Sequence, residues 1–432
     1  MKFAAVGDGL IQRRLPPNYK GFQEVVDWMG EAETRFMNLE TTIHRPSDNC
    51  FGNQDSGGSY LRTDPEALDD VHRFGFNMVT PCNNHAMDWS HQGLVKTLEY
   101  LDASGLVHAG TGRNLDEAAA PAYLDTEKGR VALIAASTSG GDTWMAGRQS
   151  RRVPGRPGIN KVRLKVNMIV TQEQMDQLKI IAEQIKINGL DDIHRKEGYV
   201  PPVPEGCFAF GLGITFKVGD KPGREGYCVK ADLERMAKSI YDAKFQSDYI
   251  IVSIHCHETS GTNKSEPAMA QEQLARFCID NGADAVVGHG PHLLRPMEIY
   301  KGKPIFYSLG DFIMQNENSA FTPEDMFVKY GLTSDASMYE LYRTRSADFT
   351  RGLMVQPVMF ESVSPRWEVD ESGKMTKLEL LAIELGFEKP RSRSGLPAPA
   401  KDDSILRRFA EMSAPYGVKM EIHGNKATVI LD

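Results

Sequence analysis

The sequence predicts a protein of the α/β class. Short apolar runs rich in β-forming residues alternate with helical stretches, the pattern expected when crossover helices separate parallel strands. The 432 residues are 41% hydrophobic and 25% charged, as in ordinary globular proteins. No apolar run approaches the roughly 18 residues that a membrane-spanning helix needs, so no membrane anchor is predicted. This composition excludes disordered, collagenous and disulfide-knot chains.

The individual elements follow from local pattern. Predicted strands cover residues 3–7, 35–39, 77–80, 131–136, 249–255, 285–288 and 305–308. One helix opens at Asp64-Pro65-Glu66, where an acidic N-cap precedes proline, and ends at Gly75. Helical periodicity predicts further helices over 92–103, 230–244 and 267–281.

Two stretches interrupt this regularity. Residues 138–228, rich in Gly, Pro and Arg around one predicted helix at 172–187, are interpreted as an insertion. Residues 315–351, with one predicted helix, form a possible lid, although surface decoration is an equal alternative. A main domain over 1–388 is then followed by a C-terminal unit over 389–432, comprising a linker, a helix and a hairpin around Gly424-Asn425.

Charge and cysteine content restrict partners and location. Fifty Lys and Arg against 58 Asp and Glu give a net charge of −8, and no basic face is evident, which argues against nucleic acid as a partner. The six cysteines form no CxxC pair, so reduced thiols are expected. The N-terminus lacks a signal-peptide pattern, which predicts a cytoplasmic protein. The oligomeric state is left open.

Metal-type side chains follow five of the predicted strands, where open α/β sheets place their ligand sites. Carboxylate, amide and imidazole ligands suit Zn²⁺, Mn²⁺ or Fe²⁺, with one or two ions per chain. Four of the eleven histidines fall in the last two clusters. The clusters are Gly7-Asp8, Asn38-Leu39-Glu40, Asn83-Asn84-His85 with Asp88, His255-Cys256-His257-Glu258, and Gly288-His289-Gly290-Pro291-His292.

Each cluster also has a purely structural interpretation. Asp8 could cap a turn, and Asn84 could be the N-cap of the following helix. His255 is preferred to His257 as a ligand, because His257 shares its strand face but lies close to the loop. Strand alternation points Cys256 away, toward the core. Asp88, one turn after His85, is close enough to orient its imidazole.

The order of these motifs resembles that of the CapA family of poly-γ-glutamate synthesis or capsule proteins, within the calcineurin-like metallophosphoesterase superfamily. The matching pieces extend over about the first 312 residues. They are Val6-Gly7-Asp8, Asn38-Leu39-Glu40-Thr41, Asn83-Asn84-His85-Ala86-Met87-Asp88 with Gly93-Leu94, Gly110-Thr111-Gly112, His255, Gly288-His289-Gly290-Pro291-His292 and Tyr307-Ser308-Leu309-Gly310-Asp311-Phe312.

The resemblance implies a four-layer α/β sandwich with a metal centre at one sheet edge. It further implies that Glu40 bridges two ions and that His85, backed by Asp88, acts as the acid/base histidine. The implied metal ligands are Asp8, Glu40, Asn84, His255, His289 and His292.

Three departures from the family or superfamily pattern concern the site. Leu10 stands where many metallophosphoesterases have a histidine, which puts one metal position in doubt. The last two histidines, His289 and His292, have the His-x-x-His spacing of CapA proteins instead of His-x-His, which puts phosphatase activity in doubt. Cys256-His257 replaces the usual Trp-Gly, and Asp311 replaces an Asn, so the substrate is in doubt as well.

The favoured function by this resemblance is a hydrolase that cleaves a peptide or γ-glutamyl amide through a metal-bound hydroxide, with His85 protonating the leaving group. His257 is a candidate for substrate binding. Arg148 and Arg151, with Arg152 and Arg156, could clamp a substrate carboxylate, although a solvated basic loop is the better expectation.

Two alternatives use the same residues. In a metal-dependent peptide epimerase, Asp8 or His85 on one side and His292 on the other would remove and return an α-proton. In a non-catalytic poly-γ-glutamate or capsule synthesis or binding protein, the metal would be structural. The complete set of candidate ligands favours an enzyme.

Overall fold

The structure is a computed structural model, and it describes residues 1–431. Its strands are, in chain order, β1 (Lys2–Leu10), β2 (Thr34–Leu39), β3 (Thr42–Ile43), β4 (Arg62–Thr63), β5 (Met78–Thr80), β6 (Val107–His108), β7 (Thr111–Gly112), β8 (Ala122–Thr126), β9 (Gly129–Ser137), β10 (Gly158–Ile159), β11 (Leu164–Val170), β12 (Cys207–Ala209), β13 (Thr215–Val218), β14 (Gly223–Cys228), β15 (Tyr249–His255), β16 (Ala285–His289), β17 (Leu294–Tyr300), β18 (Lys303–Leu309), β19 (Asp311–Met314), β20 (Glu361–Val369), β21 (Met375–Glu384), β22 (Ala398–Pro399), β23 (Met420–His423) and β24 (Lys426–Val429).

The α-helices connect or flank these strands. They are α1 (Phe22–Met29), α2 (Ala67–Arg73), α3 (Ser90–Ser104), α4 (Leu115–Ala119), α5 (Gln172–Ile185), α6 (Gly189–Glu197), α7 (Lys230–Lys244), α8 (Met269–Asn281), α9 (Glu324–Lys329), α10 (Met338–Arg345) and α11 (Ser404–Ser413). Among the described helices, none combines the length and the apolarity needed to cross a bilayer.

Two large mixed sheets form the centre of the molecule. The first has the strand order β23-β24-β21-β20-β1-β2-β5-β6, with β19 also paired to β1 and β22 to β21. The second has the order β17-β18-β16-β15-β9-β8. The strands β1, β2, β5 and β19 run parallel, as do β9, β15, β16 and β18, so each sheet brings several carboxyl ends to one edge.

The alternation of apolar side chains divides the core into layers. Phe3 and Ala5 of β1 pack between the two sheets, together with Leu133 and Ile251 of the second sheet. The intervening Ala4 and Val6 face outward and pack with α1 and α2. On the far side, the outward residues of β9 and β15 pack with α7 and α8. Successive strand residues point to opposite faces, so each sheet packs against the other sheet on one face and against helices on the other. The predicted four-layer α/β sandwich is confirmed.

Most predicted elements agree with the structure to within a few residues. The insertion is more regular than the sequence indicated: residues 164–228 contain two helices, α5 and α6, and a separate sheet of order β12-β13-β11-β14. Helix α5 ends at Ile185 because Lys186 adopts the left-handed conformation, with φ 54°. The prediction of a single helix over 172–187 was therefore incomplete.

The stretch 315–351 contains two short helices, α9 and α10, where one was predicted. Met326, Phe327 and Leu341 from this stretch are buried against Tyr60 and Trp89, just beyond the third metal-type cluster. The C-terminal hairpin β23–β24 pairs with β21 and extends the first sheet, and Ala398–Pro399, within the predicted linker, also pairs with β21. The boundary at residue 389 and the lid remain predictions.

A buried carboxylate anchors the insertion to α7. Asp232 is fully buried and accepts hydrogen bonds from the Arg163 backbone N–H (3.0 Å), Arg163 Nε (2.8 Å) and Arg235 Nη1 (2.7 Å). Burial favours the neutral acid, but these donors hold the pKa of Asp232 below its ordinary value.

We expect Asp232→Asn to lower the free energy of unfolding by about 3–5 kcal/mol at neutral pH, since two guanidinium groups lose their buried anion. A lowered folded-state pKa contributes stability above the unfolded pKa, so the difference between wild type and variant should shrink below about pH 4. Urea unfolding across pH checks this. Asp242→Asn, at an exposed pair with Lys238, should cost at most about 0.5 kcal/mol.

Candidate metal centre

Strand register aligns the polar clusters across each sheet. In the first sheet Asp8 pairs with Asn38 on one side and with Asp311 on the other. In the second sheet His255 pairs with His289. Because the two sheets pack face to face with their parallel carboxyl ends at the same edge, these aligned residues meet in one buried cluster.

Glu40 lies at the centre of this cluster, directly after β2. Its side chain is completely buried, and neither carboxylate oxygen has a hydrogen-bond partner among the described residues. Three imidazole nitrogens surround Oε1: His85 Nε2 at 3.8 Å, His255 Nε2 at 3.8 Å and His292 Nε2 at 3.9 Å. These gaps are too long for hydrogen bonds, and they leave room beside Glu40 for a bound cation.

Two of these histidines are backed by an aspartate. His85 Nδ1 lies 2.7 Å from Asp88 Oδ2, and His292 Nδ1 lies 3.0 Å from Asp311 Oδ1. In both cases the carboxylate orients the ring so that Nε2 points toward Glu40. Burial lowers the pKa of His292, but Asp311 outweighs this effect and raises it.

Asp8 is held by neighbours from β2 and from the end of β16. Its Oδ1 accepts a hydrogen bond from Asn38 Nδ2 (2.7 Å) and lies 3.2 Å from His289 Nδ1, while its Oδ2 accepts the Gly290 N–H (3.0 Å). Gly290 has φ 121°, and a Cβ there would lie 2.9 Å from the Cys256 backbone, so only glycine fits. Burial opposes ionisation of Asp8, but His289 holds its pKa below the ordinary value.

Asn84 and His255 form the remaining side of the cluster. His255 Nε2 lies 2.7 Å from Asn84 Oδ1, and its Nδ1 lies 3.2 Å from Asn38 Nδ2. Asn83 supports this side, because its Nδ2 donates to Asn38 Oδ1 (3.2 Å). Asn84 precedes α3 by several residues, so it does not cap that helix.

The segment 57–61 fixes the His85–Asp88 pair from outside. The Gly57 N–H donates to Asp88 Oδ1 and the Leu61 N–H to Asp88 Oδ2, both at 2.8 Å. A Cβ at Gly57 would lie 2.8 Å from the His85 ring, so this glycine permits the close approach. Every polar atom of the Asp88 carboxylate is therefore engaged, and the ring of His85 has one orientation.

The donor set fits a divalent cation. Asp8, Glu40, His292 and Asp311 each offer a ligand atom within 4.8 Å of the others, and Glu40, His257 and His292 form a second such group. Buried atoms without hydrogen-bond partners concentrate here: both Glu40 oxygens, both His289 ring nitrogens, Asp311 Oδ2 and His257 Nε2. Unpaired buried polar atoms are costly, and a bound metal ion would satisfy them together.

Electrostatics point the same way. Burial raises the pKa of Glu40 well above its ordinary value, and the Asp8, Asp311 and Asp88 carboxylates add to this. Burial also lowers the pKa of His255 to about 3 and that of His257 well below 6.5. Neutral imidazole is the form that binds metals, and a bound cation would favour the ionised form of Glu40 that burial disfavours.

The structure brings most of the predicted site residues into one cluster. These are Asp8, Glu40, Asn84, His85, Asp88, His255, His257, His289 and His292. Cys256 points into the outer core, as strand alternation predicted. Sequence analysis missed Asn38 as a site residue and treated Asp311 only as a departure from the family pattern. An amide two residues before Glu40 and a carboxylate directly after Gly310 at the end of a buried strand were the available signals.

Arg148 and Arg151 lie elsewhere, on an exposed hairpin closed by pairing of Gly147 with Arg156. No hydrogen bond or ion pair of either side chain occurs within residues 1–431. We expect the double variant Arg148→Ala/Arg151→Ala to keep its metal content and to change the free energy of unfolding by at most about 0.5 kcal/mol. A rise in KM at unchanged kcat would then report a substrate contact, and an unchanged KM would mean a solvated loop.

Comparison with known proteins gives consistent relatives. The family model described as bacterial capsule synthesis protein PGA_cap matches residues 2–316. The protein y4sH of Sinorhizobium fredii (strain NBRC 101917 / NGR234) is 34% identical over 431 residues, covering 97% of this chain and 90% of that one. The PGA biosynthesis protein CapA of Bacillus subtilis (strain 168) is 23% identical over 393 residues, covering 86% and 80%.

A crystal structure described as a novel phosphatase from Mycoplasma pneumoniae has a TM-score of 0.40 at 12% identity, covering 89% of this chain and 93% of that one, and this likeness carries no argument about activity. The family match, in contrast, includes all five metal-type clusters. The resemblance that the motifs predicted is confirmed. The chain belongs to the bacterial capsule synthesis protein family PGA_cap.

Proposed function

We propose that this protein is a metal-dependent hydrolase that cleaves a peptide or γ-glutamyl amide bond. The single observation that carries the proposal is Glu40: a fully buried carboxylate with no hydrogen-bond partner, surrounded by three imidazoles at 3.8–3.9 Å. A structural core would not retain such a group, because an isolated buried charge costs several kcal/mol. A site that holds one or two divalent ions, such as Zn²⁺, Mn²⁺ or Fe²⁺, accounts for it.

The residues divide into holding and reacting groups. Asp8, Glu40, Asn84, His255, His289 and His292 are the proposed ligands, with Glu40 shared between two positions. When bound, the metal lowers the pKa of a coordinated water and polarises the scissile carbonyl. His85, oriented by Asp88, is the proposed proton donor to the leaving amine.

The γ-glutamyl class is supported by relatives alone. Besides the Bacillus subtilis protein, a Mycobacterium tuberculosis relative 27% identical over 305 residues, covering 67% of this chain and 60% of that protein, is named a probable polyglutamine synthesis accessory protein. These names describe those proteins, and they suggest which amides to offer to this one.

Metal content and cleavage should be measured together. Purified protein is stripped with chelator, reloaded with Zn²⁺, Mn²⁺ or Fe²⁺, and incubated with oligo-γ-glutamate and with α-linked peptides, and products are followed by mass spectrometry. Cleavage that requires the metal supports the hydrolase. Metal binding without any new amine terminus contradicts it, and no metal binding after supplementation favours a non-catalytic binding protein.

A second candidate, a peptide epimerase, is favoured by a specific feature of the site. His85–Asp88 and His292–Asp311 are two similar pairs, both directed at Glu40, so two proton-transfer groups flank one position. Proton removal and return from opposite faces needs such an arrangement. Incubation in D₂O distinguishes the two: deuterium at a peptide Cα without cleavage indicates epimerisation, and cleavage without deuterium at Cα indicates hydrolysis.

A further inference from the structure

The loop after β15 brings an additional histidine to the metal centre. His257 Nε2 is buried and has no hydrogen-bond partner within the described chain. One His257 ring nitrogen lies within 4.8 Å of ligand atoms of both Glu40 and His292. The His257 ring centroid is 5.1 Å from that of His255 and 5.3 Å from that of His292. An imidazole without a partner therefore faces a carboxylate without a partner.

The backbone of this loop is fixed before any ligand binds. The His257 N–H donates to Ser139 Oγ (2.7 Å), and its carbonyl accepts from Arg295 Nη2 (3.3 Å). Arg295 is fully buried and also donates to the carbonyls of Cys256 (3.0 Å) and Glu258 (2.8 Å). Because a buried guanidinium holds three successive carbonyls, the position of His257 is set by the fold.

Position 10 supplies no ligand to the metal centre. Leu10, which stands where many metallophosphoesterases have a histidine, is 1% exposed and packs into the outer core layer with α1 and α2. It faces away from the cluster and offers no donor atom. Strand β1 therefore offers the centre a carboxylate, Asp8, but no imidazole.

We propose that His257 is a direct ligand of a divalent cation that it shares with Glu40 and His292. Glycine, which the family usually has at position 257, has no side chain to coordinate a metal. The choice of Zn²⁺, Mn²⁺ or Fe²⁺ agrees with a mixed imidazole and carboxylate donor set. This ligand assignment rests on the proposed metal-dependent function, but not on any particular substrate.

A substrate-binding role for His257 predicts a different outcome. A histidine that contacts only substrate would raise KM on substitution and leave metal affinity unchanged. A ligand, in contrast, changes the number or the affinity of bound ions in the absence of substrate. The distinguishing measurement is therefore metal binding to the substrate-free protein.

The experiment compares full-length wild type, His257→Gln and His44→Gln after chelator treatment. His44 is also buried, at 2% exposure, but contacts Trp89 edge-to-face outside the cluster, so its variant controls for loss of a buried imidazole. Each protein is titrated with Co²⁺, followed by visible absorption, and with Mn²⁺, followed by calorimetry.

His257→Gln is expected to lose one of the bound ions or to bind it at least about 100-fold more weakly, a larger effect than removal of an outer-shell partner usually produces. His44→Gln should match wild type. Equal stoichiometry and affinity within threefold in His257→Gln would overturn the assignment. If the variant does not fold, histidine C2-hydrogen exchange in wild type replaces it: metal should slow exchange at His257, and an unchanged rate would overturn the proposal.

The outcomes separate the two proposals. If His257→Gln binds one ion fewer than wild type but wild type cleaves no amide, the ligand assignment stands and the hydrolase proposal is contradicted. If wild type cleaves amides and His257→Gln binds metal as wild type does, the hydrolase proposal stands and the ligand assignment is contradicted.

Discussion

Glu40→Gln is expected to remove most of the bound metal and to lower kcat/KM by at least about 10³-fold. Glutamine keeps the shape of the side chain but loses the negative charge that would lie between two cations. No other carboxylate among the described residues lies at the point where His85, His255 and His292 converge. Elemental analysis and the hydrolysis assay measured on the same preparation check the result.

The stability of the same variant should change in opposite directions with and without metal. In metal-free protein the buried carboxylate of wild type has no partner. The free energy of unfolding of Glu40→Gln should therefore be about 1–3 kcal/mol higher than that of wild type. With saturating metal the order should reverse, because the ion binds only the native wild type.

The stability difference in metal-free protein should depend on pH. Burial raises the folded-state pKa of Glu40 above its ordinary value of 4.5, so the folded state binds the proton more tightly than the unfolded state. Wild type then loses stability as pH rises above about 4.5, whereas Glu40→Gln does not. The two proteins should be equally stable at lower pH, and a constant difference from pH 4 to 8 would contradict this account.

Glu298→Gln is the matched control for a buried glutamate. Glu298 is 9% exposed and is paired with Arg276 and Tyr307 on the far side of the second sheet. Its substitution should lower the free energy of unfolding and leave metal content unchanged. Full metal occupancy in Glu40→Gln would show that the centre is held by other residues.

Much of the fold could be predicted from sequence because apolar alternation and polar strand ends are local signals. The register between strands is not local. Asn38 and Asp311 enter the site because β2 and β19 lie on either side of β1, where these residues pair with Asp8. No spacing along the chain reveals that pairing. His257 is similar: its sequence position indicated a loop, while its direction depends on Arg295, 38 residues later.

The insertion was less predictable for a different physical reason. Strands β12 and β13 are very short and partly exposed, and β14 is rich in glycine and charge, so they lack the long apolar runs of β1 and β15. Strands β13 and β14 are held by pairing with β11, and β12 by pairing with β13, and these are tertiary contacts. Helix α6 has no buried residue and carries a charge on five of its nine positions, counting both signs, so periodicity could not reveal it.

His85→Gln is expected to lower kcat by about 10²–10⁴-fold while metal content and KM remain within a few-fold of wild type. His85 Nε2 is 3.8 Å from Glu40 Oε1, close enough to reach a substrate held at the metal centre. Its Nδ1 contacts Asp88, so Nε2 is the ring nitrogen that can transfer a proton to a bound substrate. Asp88→Asn should have a smaller effect, about 10–100-fold, because it disturbs the orientation of the ring but keeps the ring itself.

The matched control for this pair lies on the surface. His108 Nε2 is 2.9 Å from Asp102 Oδ1, the same type of contact outside the metal centre, so His108→Gln should leave kcat unchanged. If His85→Gln loses metal in proportion to activity, His85 is a ligand, and His292 with Asp311 becomes the candidate proton donor. If kcat stays within threefold, neither hydrolysis nor epimerisation depends on this imidazole. Amide hydrolysis would then need its proton from another group, since an amine leaving group must be protonated as it departs.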